Sequence, residues 1–81
     1  MTQEYLENHK IFDARVGDRV KIISRCENRE YGWEDDWADY MTPHIGECVT
    51  ILQDNDSFGY YVQCDSMLRF NVPYFCLSII R

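Results

Sequence analysis

From residue 16 onward, apolar residues recur at every second position in short runs separated by turn formers, the period of half-buried strands. After a Val16-Gly17-Asp18 turn, residues 19–24 place Val20 and Ile22 on one face and Arg19, Lys21 and Ile23 on the other. Ile45-Gly46 opens a second run, 47–52, in which Val49 and Ile51 alternate with Cys48, Thr50 and Leu52. Residues 53–57 form a polar tip whose Asp54-Asn55-Asp56 suits a hairpin turn. The chain returns over 58–64 with Tyr60, Val62 and Cys64 on one face, turns at Asp65-Ser66, and runs over 67–72 with Leu68, Phe70 and Val72 in phase. Pro73 has no N–H to donate to a ladder, so 73–76 reads as one 3₁₀ turn before a short closing strand over 77–80.

Two stretches break this period. Residues 2–12 begin with Thr2 as a cap, followed by Tyr5, Leu6, Ile11 and Phe12 at loosely helical spacing; a short helix and a frayed arm both fit. Residues 26–44 are too long for a simple hairpin link, and connections of that length carry function or structure of their own. They include both tryptophans. If the chain is helical after Gly32, Trp33, Trp37, Tyr40 and Met41 fall at i, i+4, i+7 and i+8 and share a face, while Glu34, Asp35, Asp36 and Asp39 point away. Pro43 disfavours helical dihedrals at Thr42, so such a helix ends by Met41. The expectation is a mainly β protein: an N-terminal arm or short helix over 1–15, then a small five-stranded, partly open barrel over 16–81.

Eighty-one residues support one domain with a core near the lower limit of size, and the twelve Phe, Trp and Tyr rings are an efficient filling for it. Placement of charge says more than the total of −6. Residues 27–44 hold six carboxylates (Glu27, Glu30, Glu34, Asp35, Asp36, Asp39) against Arg29, a net of −5, which leaves −1 for the rest. One acidic face opposes direct contact with nucleic acid or an anionic membrane and steers a basic partner toward it. No apolar run has the length of a membrane span.

The four cysteines, Cys26, Cys48, Cys64 and Cys76, form no C-x-x-C pair, the usual unit of a structural zinc site. With no apolar leader over 2–14 they read as buried or half-buried free thiols of a cytoplasmic protein, and the Asn55-Asp56-Ser57 sequon is then silent. Glu34-Asp35-Asp36 lacks the alternating oxygens and glycine bend of a calcium loop. Nucleophilic catalysis would need one of the cysteines beside His9 or His44, and no motif orients such a pair. Tyr60, Tyr61 and Tyr74 are able to stack on bases, but single-strand binding also needs a positive groove, and the bases are scattered. No catalytic residue, metal or cofactor is expected. The expected partner surface is Glu30, Tyr31, Trp33, Glu34, Asp35, Asp36, Trp37, Asp39 and Tyr40. Either both indoles close the open end of the barrel, or Trp33 stays at the edge as an anchor.

The strand opening Gly17-Asp18-Arg19-Val20, the long first loop, the tight hairpin and the Val72-Pro73-x-x-x-Leu77 passage resemble an SH3-like barrel. Trp33, Trp37, Met41 and Ile45-Gly46 between the first two strands resemble small SH3-like proteins encoded by bacteriophages, with a distant similarity to Mind bomb-type barrels. The likeness covers 16–80. It implies a fold and a viral source, and with the acidic loop an expectation of function: a non-enzymatic module that binds a basic host protein in the host cytoplasm, as a monomer or weak homo-oligomer. Such a loop could act as a mimic of nucleic acid. The alternative is an assembly component that self-associates through its sheet edge.

Overall fold

The computed structural model describes residues 2–26 and 30–80, so Glu27 and Arg29 of the acidic stretch lie outside the described residues. Among the described residues, one α-helix, α1 (Thr2–Phe12), precedes five strands: β1 (Arg19–Ile22), β2 (Cys48–Asp54), β3 (Tyr60–Gln63), β4 (Arg69–Val72) and β5 (Leu77–Ile79). All pairings are antiparallel in one open sheet of order β4-β3-β2-β1-β5, so the mainly β expectation holds. The alternation locates the core as expected: Val20, Ile22, Val49, Ile51, Tyr60, Val62, Cys64, Phe70 and Val72 are all buried. The single 3₁₀ turn before the last strand spans Tyr74–Cys76.

Every strand differs from the pattern by one or two residues at an end, β1 stopping at Ile22 and β3 spanning only Tyr60–Gln63, and two departures shape the surroundings of the site. Leu68 is partly exposed and precedes β4, because its carbonyl accepts the Cys64 N–H and closes the turn between β3 and β4. In β2 the register shifts between Ile51 and Gln53, so Leu52 is an extra residue in a bulge. The shift sets Asp54 opposite Tyr60, and directly opposed residues share a face of the sheet. Asp54 is thereby turned toward α1.

The N-terminal stretch is a helix, and its buried stripe is Tyr5, His9 and Phe12 at i, i+4 and i+7, while Leu6 and Ile11 are exposed. Tyr5 belongs to the same core as the strands, so residues 2–12 are no loose arm. The His9 ring stacks on Tyr60 with centroids 4.1 Å apart and planes 12° from parallel. Its Nε2–H donates to Asp54 Oδ1 at 2.7 Å, and the Tyr60 hydroxyl donates to the His9 carbonyl at 3.2 Å. Tyr5 packs on Tyr74, and its hydroxyl oxygen accepts the Tyr74 N–H. The helix is thus held by packed rings and by hydrogen bonds with Asp54, Tyr60 and Tyr74, while His9 Nδ1 is buried without a hydrogen-bond partner among the described residues.

Burial, and after it the Asp54 carboxylate, push the Tyr60 phenol up to about 12. In the unfolded chain a tyrosine ionises near pH 10, so between about pH 10 and 12 the unfolded state holds fewer protons than the folded one. The Tyr60 contribution to stability is therefore complete below pH 10 and is lost as pH rises toward 12. Denaturant unfolding measured across that window should show stability falling with pH, and Tyr60→Phe should make the fall shallower; an unchanged slope would contradict the burial of this phenol.

Candidate functional site

Residues 23–47 join β1 to β2 and carry every residue of the expected partner surface. A 3₁₀ turn at Glu30–Gly32 has Tyr31 at φ 53° and Gly32 at φ 86°. Two successive left-handed residues reverse the chain and send the next side chain inward; glycine tolerates this freely, tyrosine at a cost. That side chain is Trp33, which is fully buried, its Nε1–H donating to the Phe58 carbonyl at 2.7 Å. Gly59 leaves the necessary space. A Cβ there would meet the Val72 carbonyl oxygen at 2.6 Å and Trp33 Nε1 at 3.1 Å, and its φ of 98° suits glycine.

Beyond Trp33 the backbone lies along the hairpin tip, with the Glu34 N–H donating to the Ser57 carbonyl at 2.9 Å. Asp35 Oδ1 accepts the Asp36 N–H, and its Oδ2 accepts from Asn71 Nδ2 at 3.0 Å. Asn71 Oδ1 in turn accepts from Asn55 Nδ2, so an amide relay ties the connector to β4 and to the tip. Trp37 is buried and donates from Nε1 to Thr42 Oγ1 at 3.0 Å. A 3₁₀ segment, Asp39–His44, follows with Pro43 inside it and Met41 buried beneath.

The expected helix after Gly32 is therefore corrected. Residues 33–38 are not helical, and the helical segment is 3₁₀, begins at Asp39 and continues past Met41 to His44. The Asp35 side chain occupies the Asp36 N–H, the local competition by which aspartates disfavour a helix. The expectation that Trp33 stands at the edge as an anchor is also corrected: both indoles are sealed in the core. Tyr40 leaves the shared face too, being more than half exposed, with its ring inclined 61° to that of Phe70. Of the nine expected residues, the outer surface retains Tyr31, Asp36, Asp39 and Tyr40 as exposed groups and Glu34 and Asp35 as half-buried ones; for Glu30 only the backbone is described. Among the described residues, Glu34, Asp35 and Asp39 face no ion-pair partner.

Two groupings escape the linear sequence. One is an open hollow of about 360 Å³ beside α1, lined by His9, Asp13, Asp54 and Tyr60 among others, and only the i, i+4 spacing of His9 from Tyr5 pointed toward it. The other brings Cys64 beside His44 and Glu47, the cysteine–histidine approach that thiol catalysis requires and also a donor set able to hold a metal. Cys64 is buried, and burial together with Glu47 and Asp65 pushes its thiol up, the reverse of an activated nucleophile.

Comparison of the chain with protein-family models, with curated proteins and with solved structures finds no match.

Sealed indoles have a direct optical consequence. Native tryptophan emission should be blue-shifted and quenched weakly by iodide, with quenching rising sharply on unfolding. Strong quenching of the folded protein would show that an indole is presented to solvent. Trp33→Phe, which keeps one aromatic ring but leaves a void beside it and strands the Phe58 carbonyl, should cost at least about 1–3 kcal/mol in denaturant unfolding.

Proposed function

We propose that this chain is a non-enzymatic interaction module that grips a basic macromolecular partner through the outer side of its β1–β2 connector. One observation supports this above the others: the connector is pinned to the sheet from beneath by Trp33, Trp37 and Met41, leaving its carboxylates on a surface that is already ordered. A preorganised charged face loses little entropy on binding and steers encounter. With the indoles withdrawn, Asp36 and Asp39 supply exposed charge, Glu34 and Asp35 stand half-buried behind them, and Tyr40 is the aromatic contact beside them.

The SH3-like likeness belongs to the same proposal. It is supported by the strand order with β1 central to β2 and β5, by the long β1–β2 connector, and by the 3₁₀ turn leading into β5. On that basis the module is phage-encoded and blocks or redirects a host protein, with the spaced carboxylates standing in for phosphates in a basic cleft. The assembly reading has its own support, since β4 and β5 end the open sheet without a further strand among the described residues.

Capture from bacterial lysate with wild-type and Asp36→Lys/Asp39→Lys baits compares the two. The reversed bait should associate with the captured partner roughly tenfold more slowly at low salt, and its salt dependence should be flatter. Equal capture and equal rates would remove the acidic connector from the interface, and a stable homo-oligomer in sedimentation would favour assembly instead.

A further inference from the structure

Three segments converge at the end of the connector. The Glu47 N–H donates to the His44 carbonyl at 3.0 Å, closing a turn through Gly46, whose φ is 97°. That turn is tied to β1 on both sides, because Gly46 N–H donates to the Ile22 carbonyl and Ile22 N–H to the Glu47 carbonyl. His44 and Glu47 consequently face each other, with Nδ1 2.9 Å from Oε2. Cys64 arrives from β3. Continuing the β2–β3 register one step beyond Thr50↔Gln63 sets Cys64 beside Val49, and Glu47, two residues before Val49, lies on the same face.

The outcome is one imidazole nitrogen, one carboxylate oxygen and one sulfur all within 4.8 Å of one another. Ligands around a tetrahedral zinc ion, bound at roughly 2.0–2.3 Å, stand about 3.3–3.8 Å apart, so closure asks for an adjustment of up to about 1 Å, in which the His44–Glu47 pair, 2.9 Å apart, opens and the longer separations shrink. The Glu47 side chain, 43% exposed, has the freedom to supply it, while Cys64 is held inside and His44 is largely covered beside Phe70. A mixed nitrogen, oxygen and sulfur set suits zinc and cobalt and is a poor match for calcium or magnesium, which take oxygen ligands.

We propose that His44, Glu47 and Cys64 form a binding site for a borderline divalent transition-metal ion, Zn²⁺ foremost, with three protein ligands and a fourth position open to water. The Cys64 thiol releases its proton to solvent as the sulfur–metal bond forms. Bound there, the ion fastens the last residue of the 3₁₀ segment to β2 and β3, and so clamps the end of the acidic connector.

Titration of the full chain with Co²⁺ alone tests the site. One equivalent should produce a thiolate-to-cobalt charge-transfer band in the near ultraviolet and the intense visible bands of a tetrahedral ion, both abolished by Zn²⁺, and Zn²⁺ should raise Tm. Cys64→Ser should abolish the charge-transfer band and Cys48→Ser should leave it unchanged, circular dichroism confirming that both variants are folded. Glu47→Gln, at a half-exposed position, should weaken Co²⁺ at least by the roughly 10- to 100-fold that losing an orienting partner costs at a metal site. Absence of the band in the wild-type protein, its survival in Cys64→Ser, or unchanged affinity in Glu47→Gln would overturn the proposal.

Discussion

Trp33, seated against Gly59 with its indole N–H on the Phe58 carbonyl, is the contact on which the rest of the structure depends. The largest side chain in the core comes from the connector and not from a strand, so the sheet cannot complete its packing until the connector is in place. An indole buried here must also satisfy its N–H, and the carbonyl it uses belongs to the β2–β3 tip. Gly59 makes the approach feasible by offering no Cβ, and the left-handed pair Tyr31 and Gly32 aims the ring. Loop, hairpin tip and β4 are therefore one packed unit.

The acidic surface follows from that arrangement. Trp33, Trp37 and Met41 are drawn under the chain and the intervening residues are turned outward, where the Asp35–Asn71–Asn55 relay fastens them a second time. A floppy loop of the same composition would spread its charges and relax their repulsion. Here they are kept together, and an ordered negative face is what electrostatic recognition of a basic partner requires. The metal site inferred at His44, Glu47 and Cys64 would act on the same element, fastening its far end where the indoles fasten its near end.

The strands were legible because their chemistry is local: a period of two, punctuated by glycine, aspartate and proline, locates Val20 and Ile22, Val49 and Ile51, and Phe70 and Val72 without knowledge of anything distant. In the connector, the spacing of Trp33, Trp37 and Met41 correctly marked which side chains turn inward. It failed on backbone form and on Tyr40, because an extended chain is equally able to bury those residues and Asp35 competes for the backbone N–H a helix needs. α1 was half legible, since its stripe runs through His9, a residue that no apolar pattern counts. Asp54 faces His9 only through the bulge at Leu52, and Cys64 meets His44 only through the β2–β3 register, neither of which leaves a mark in the linear order.

Everything proposed for the acidic face presumes that the connector is locked by Trp33 and does not open independently of the sheet. Native-state hydrogen exchange of the Trp33 indole N–H and the Glu34 amide, followed by NMR, measures this directly. The account predicts that both exchange only through global unfolding, with protection matching that of the Val20 and Ile51 amides in the sheet. Exchange of the connector sites orders of magnitude faster than the strands would contradict it.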